Sequence, residues 1–258
     1  LTGTTGLDTG LVQAVGDVAI TSGGLVDVQG ISAGGNVDLT TTGSSASFGN
    51  IDSAMDILID ATDALILTDA NAGGLIDIVA GGNVQTGSLT SLDDIRLDSD
   101  QSILGTGAIM TDGAFISQAL GSGSYGNISA QGVGNGGILG IAIDAAAGIS
   151  TGDLSTGSAA IGLLTPAAIT TGNVTSATDA IFLAGTGITA GAISTANGPD
   201  NFIYLANNSM EAFFGPNGDP TPLFALDPVA TSGSITINNA VSGGNLVAAT
   251  AGDFVSEG

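Results

Sequence analysis

The chain repeats a short apolar pattern every 19 or 20 residues, and that period constrains everything else it can form. The first apolar residues of successive β-like runs, Val18, Val37, Ile57, Ile76, Ile95 and Phe115, follow at intervals of 19, 20, 19, 19 and 20. A step of 26 leads to Ile141, and Ile161, Ile181 and Ile203 then follow at 20, 20 and 22. Two residues past the anchor a second apolar residue recurs, as Ile20, Leu39, Ile59, Ile78, Leu97, Ile143, Leu163, Leu183 and Leu205. A second segment brings Leu25, Leu65, Val84, Ile103, Ile149, Ile169 and Ile188. A third brings Ile31, Ile51, Leu89, Ile109, Ile128, Leu154, Val174 and Ile193.

Each unit thus offers three short segments with in–out alternation, the period of a half-buried strand. The corner before the third segment reads Gly-x-apolar-Ser/Thr, as in Gly87-Ser88-Leu89-Thr90 and Gly172-Asn173-Val174-Thr175. Glycine there is expected to supply a positive φ or a close backbone approach, and Asn or Asp to tolerate the left-handed region. One unit cannot bury its own apolar face, but stacked units can. The expected fold is all-β, a right-handed parallel β-helix with about 19–20 residues and three short strands per coil. Ten or eleven coils about 4.8 Å apart would make a rod of roughly 50 Å. A transmembrane barrel would need strands of about 9–11 residues and aromatic girdles. These runs are shorter, and the chain has only two Tyr and eight Phe.

The array divides into a repeat region at 1–206, an irregular excursion at 207–232 and resumed coils at 233–258. Five of the six prolines lie between Pro199 and Pro228, where proline cannot join a central ladder. Phe213, Phe214 and Phe224 give this excursion its apolar area and are the candidate interaction residues, with a neighbouring copy as the expected partner.

Charge and composition then narrow the function. The 258 residues carry 24 acidic side chains and one basic one, Arg96, for a net charge of −23, with no Cys and no His. One cation cannot neutralise a phosphate backbone, so nucleic acid is not expected as a partner. Zinc and iron–sulfur sites lack ligands, and disulfides cannot form. The mean hydropathy of +0.47 separates the chain from disordered acidic sequences. No apolar run approaches the ~18 residues of a membrane-spanning helix. The chain opens on Leu1 with no Met and no signal-like segment, and reads as an excerpt or a processed chain.

The units Gly16-Asp17-Val18-Ala19-Ile20-Thr21, Gly35-Asn36-Val37-Asp38-Leu39-Thr40 and Gly74-Leu75-Ile76-Asp77-Ile78 resemble the repeats of filamentous-haemagglutinin-like exoproteins. So do the Gly-Asn-Val-Thr and Gly-Asp-Leu-Ser corners. The resemblance covers residues 7–206 and 233–255. It implies a β-helical shaft of a bacterial surface protein exported by two-partner or autotransporter-type secretion. The family's Asn-Pro-Asn secretion motifs are not matched by Gly215-Pro216-Asn217-Gly218, so this stretch reads as shaft.

No catalytic function is expected. Asp93 with Asp94, and Asp98 with Asp100, are paired carboxylates of the kind a glycoside hydrolase uses, but Asp94 and Asp98 alternate with Ile95 and Leu97 as solvated outer charge. No cofactor is expected. If a structural calcium binds, Asp60, Asp63, Asp98 and Asp100 are the candidate ligands, although no nonapeptide or EF-hand calcium motif is present. Ser32, Thr90, Ser129, Ser155, Thr175 and Ser194 share one outward position, interrupted by Asp52 and Met110.

The expected function is a structural or adhesive rod of a secreted, extracellular bacterial surface protein, able to assemble into a filament or surface layer without inserting into a membrane. Its partners are copies of itself, neighbouring surface proteins, or host or cell-surface glycans. The alternatives are a carbohydrate-active β-helix enzyme and a glycan- or ice-binding module built on the Ser/Thr ladder.

Overall fold

The computed structural model describes residues 1–133, 137–196, 201, 203–207, 233–242 and 245–256. These residues are all-β, with no helix among them, and form a parallel β-solenoid of about twelve turns with three strands per coil. The chain divides into two compact units, Leu1–Gly113 with Ser117–Gly126, and Ala114–Ile116 with Asn127–Gly258.

In the first unit the leading strand of each coil stacks in parallel on the next, through Val18–Ser22, Val37–Thr41, Ile57–Ala61, Ile76–Ala80 and Ile95–Ser99. The registers place Val18, Val37, Ile57, Ile76 and Ile95 in one column and Ile20, Leu39, Ile59, Ile78 and Leu97 in another. All ten point inward and are buried. β-Branched and leucine side chains suit this pleated, two-residue repeat, and stacking like on like fills each layer without a step. The second and third segments run as single strands at Leu25–Ala33, Ala46–Ser53 and Leu65–Ala72, and separate at Val84–Thr86 and Leu89–Ser91.

The one tyrosine of this core shows how the stack absorbs a large side chain. Tyr125 follows Thr86 and Gly105 in its column. A Cβ on Gly123 would lie 2.8 Å from the Tyr125 ring, so glycine makes the room. The Tyr125 hydroxyl shares a 2.6 Å hydrogen bond with Ser117 Oγ inside the core. Burial pushes the Tyr125 phenol above its ordinary range, opposed by that hydrogen bond.

The second unit repeats the arrangement through Leu139–Ala145, Ala160–Thr165, Ala180–Ala184, Ile203–Asn207 and Leu246–Ala249. A register shift between Leu139 and Ile141 marks the irregular entry into this stack. Further along, Ile188 pairs with Ile235, 47 positions on, and Ile203 with Leu246, 43 positions on, where most neighbouring coils are 19 or 20 apart.

Three expectations change. The spacing puts Leu25 inside, but Leu25 is 59% exposed and Val26 is the buried residue, in line with Ala46 and Leu65. Leu25 and Val26 are both apolar, and pairing turns in Val26 together with Val28, leaving Leu25 on the outer side with Asp27. The same ambiguity recurs at Ile181. Ile161 pairs with Ala180 and Leu163 with Phe182, so Ile181 and Leu183 lie one residue out of the expected inward set. They are buried all the same, in a cluster with Leu164 and Ala206 on the opposite face of that sheet, with Tyr204 and Ala249 packed against it. Phe182 is the side chain with the volume to fill the interior beside Leu163 and Leu205, and this fixes the choice.

The third change concerns the corner Asn and Asp, which do not take the left-handed region expected of them, while the corner glycines answer to one of their two expected reasons. Among the described glycines only Gly6, Gly148 and Gly233 have positive φ, and no described non-glycine residue does. Close approach is the reason at Gly87, where a Cβ would sit 2.0 Å from the Thr68 carbonyl oxygen. It is also the reason at Gly172, where Asp153 Oδ1 would be 2.4 Å away.

Candidate functional site

The polar side chains fall into four groups, and the coil geometry decides what each can do. At the corners, Asn and Asp side chains tie each coil to the next. Asp17 Oδ1 accepts from the Asn36 N–H (2.8 Å), Asn36 Oδ1 from Asp56 (3.1 Å), and Asp56 Oδ1 from Leu75 (2.9 Å). In the second unit Asn127, Asp153 and Asn173 accept in the same way from Asp153, Asn173 and Ala192. These ladders satisfy turn N–H groups that the strands leave unpaired. The sequence pattern assigns Asn127, Asp153 and Asn173 to backbone conformation and gives Asp17, Asn36 and Asp56 no role of their own, so this role is not read from it. The signal was present as Asx recurring at the coil period.

Inside the corners, small hydroxyl residues do the converse job and donate to carbonyls. Ser53 Oγ donates to Gly35 O (2.7 Å), Ser99 Oγ to Gly82 O (2.7 Å) and Ser176 Oγ to Asp179 O (2.7 Å). Thr41 Oγ1 and Thr86 Oγ1 are buried without a hydrogen-bond partner.

The third group is the outward rank after the third segment. In the first unit Ser32, Asp52, Asn71, Thr90 and Met110 lie side by side in register. In the second unit Ser129, Ser155, Thr175 and Ser194 do the same. A parallel rank of Ser150, Thr170, Thr189 and Thr236 runs along the second segment, which sequence reading did not single out.

In the first unit, on the strands Ala46–Ser53, Leu65–Ala72 and Leu89–Ser91, the surface dips into an open cavity of about 130 Å³. Asn50, Asp52, Asp69, Asn71, Ser88 and Thr90 line it, with the strands at Ile51 and Ala70 between them. Asn50 stands opposite Asp69, and Asp52 opposite Asn71, so amide and carboxylate alternate across adjacent coils. Asp69 Oδ1 accepts from the Ser88 N–H (2.6 Å).

The fourth group is the acidic face around Arg96. Arg96 pairs in register with Asp77 and reaches Asp94 Oδ2 at 3.6 Å. Asp94 is not the solvated outer charge expected; only 7% of it is exposed. It sits in the turn before the strand, where Gly113 leaves room beside its carboxylate. Burial raises the Asp77 carboxyl above its usual range, with Arg96 opposing the shift. Asp98 is raised chiefly by burial, then by the charges of Asp100 and Asp77, against a backbone hydrogen bond from Ser99.

Of the calcium candidates, Asp98 and Asp100 are therefore close enough to repel. Asp60 has Thr40 and Val79 as its ladder neighbours, and Asp63 accepts from Ser45 Oγ at 3.3 Å. Among the described residues no group of three or more His, Cys, Asp or Glu side chains is arranged to hold a metal ion. Phe213, Phe214 and Phe224, and with them residues 208–232 of the excursion expected at 207–232, lie outside the described residues.

No protein-family pattern, curated protein or solved structure matches this chain.

Proposed function

We propose that this chain is a structural and adhesive rod segment of a secreted bacterial cell-surface protein, acting outside the cell without catalysis. The observation that carries the reading is coil-to-coil continuity within each unit. Inward aliphatic columns, parallel backbone ladders and corner Asx ladders each link one coil to the next. A stack bonded in this way resists bending and suits a spacer that holds a contact surface away from a cell. The charge of −23 favours solubility of single rods at low salt and resists unscreened side-by-side contact. The resemblance to filamentous-haemagglutinin-like repeats supports the same reading. Copies of the chain and neighbouring surface proteins are the proposed partners, in a filament or surface layer.

Electron microscopy of the purified chain at low and high salt tests this reading, alongside a reducing-sugar assay on a polysaccharide panel. Narrow rods of constant width, joining laterally or end to end as salt rises, are the expected result. Compact particles with no long axis would overturn the rod. Release of reducing ends would favour the carbohydrate-active enzyme.

A further inference from the structure

We infer that the cavity on the outer face of the first unit is a binding subsite for one ring of a neutral polysaccharide chain. This rests on the adhesive reading above and gives it a ligand class. Three observations lead to it.

The first is availability. The corner residues Asp17, Asn36, Asp56, Asn83, Asn127, Asp153 and Asn173 each have an oxygen engaged by a backbone N–H of the next coil. The side chains of Asn50, Asp52, Asn71 and Thr90 make no hydrogen bond within the described protein, and the first three are exposed. The cavity therefore concentrates polar groups whose capacity is open to a ligand.

The second is the pattern. Neighbouring hydroxyls on a sugar ring each offer a donor and an acceptor. A carboxylate only accepts, whereas a side-chain amide does both within one plane. Alternation of Asn50 with Asp69 and of Asp52 with Asn71 across coils about 4.8 Å apart presents both kinds to adjacent hydroxyls. Ser88 and Thr90 extend the same array by one coil.

The third is size and charge. A volume of about 130 Å³ is well below the ~300 Å³ at which pockets enclose a whole drug-sized ligand. An open dip of this size takes part of a ring and leaves the rest of an extended chain lying along the surface. Two carboxylates on a chain of net charge −23 repel a uronate or sulfated polymer, which leaves an uncharged chain as the proposed class. A lone cation would find only two carboxylates here.

The test is an amide-resolved NMR titration of the full chain with cellotetraose and maltotetraose. Tetragalacturonate and calcium chloride alone serve as separate arms. We expect at least one neutral tetrasaccharide to shift the amides of residues 50–52, 69–71 and 88–90. The double variant Asn50→Ala/Asn71→Ala should weaken that binding at least about tenfold, from two lost hydrogen bonds. Its melting temperature should be unchanged, because neither side chain has a partner within the described protein. The control Thr175→Ala, on the hydroxyl rank of the second unit, should bind as the parent does. The inference is overturned by silence toward both neutral probes, by shifts centred elsewhere, or by undiminished binding in the double variant. It is equally overturned by a requirement for calcium or by tighter binding of tetragalacturonate. Rod images of the unliganded chain judge the shaft reading independently of all these outcomes.

Discussion

Replacing Ile76 by Ala tests the coil interior most directly. Ile76 is fully buried between Ile57 and Ile95, its partners in the coils before and after. The substitution removes three carbons, a transfer loss of about 2.4 kcal/mol at ~0.8 kcal/mol per carbon. Ile57 and Ile95 are held at strand spacing by the ladders and cannot close over the gap. The cavity term should therefore be near its full value, about another 1–2 kcal/mol, for a total of about 4 kcal/mol. Ile66 offers the comparison. It is the same residue type on the strand that precedes Ile76 in the chain, in the coil before it, but is 51% exposed, so Ile66→Ala should cost about 1 kcal/mol or less. Urea unfolding followed by far-ultraviolet circular dichroism, at one salt concentration, gives both values. Equal destabilisation by the two substitutions, or a larger loss at Ile66, would refute the inward columns.

Other substitutions examine the corners and the charges. Gly49→Ala should destabilise by about 3 kcal/mol, because its Cβ would lie 1.8 Å from the Gln29 carbonyl oxygen, whereas Gly10→Ala, with nothing closer than 4.0 Å, should be nearly neutral in the same melting assay. Thr86→Val should raise stability by about 1 kcal/mol in urea titration, since it removes a buried hydroxyl that has no partner. Asp144 is half-buried beside Leu164, and burial raises its carboxyl above the ordinary value. The native chain then keeps that proton to higher pH than the unfolded chain does, so stability falls as pH rises through the raised value, and the full penalty stands above it. Asp144→Asn should accordingly raise the melting temperature at pH 7, and the gain should vanish below about pH 4, where both states are protonated.

The coil and most of its interior were legible in the sequence because the determinants are local. A two-residue alternation repeated every 19 or 20 positions leaves parallel stacking as the way to bury every apolar face at once, and Ile57, Ile76 and Ile95 sit where the spacing puts them. The candidate site was only partly legible. The rank through Ser32, Thr90, Ser155 and Thr175 was visible from spacing, yet Asp52 read as an interruption and in the structure lines the cavity. A dip in the surface depends on how side chains from three neighbouring coils line up, which the pattern of one coil does not encode.

Tertiary structure decided the rest wherever local rules gave two answers. Leu25 and Val26 are both apolar, as are Ile181 and Phe182, so alternation alone does not say which faces in. Pairing with Ala46 and Leu65 settles the first case, and the interior volume beside Leu163 and Leu205 settles the second. Asp17, Asn36 and Asp56 look like ordinary turn residues until the next coil is stacked on them, because the N–H each one accepts lies 19 or 20 residues away. The period of the sequence determines that coils form and stack; which side chain faces inward and which polar group meets which backbone are properties of the stack, since both depend on the coil next door.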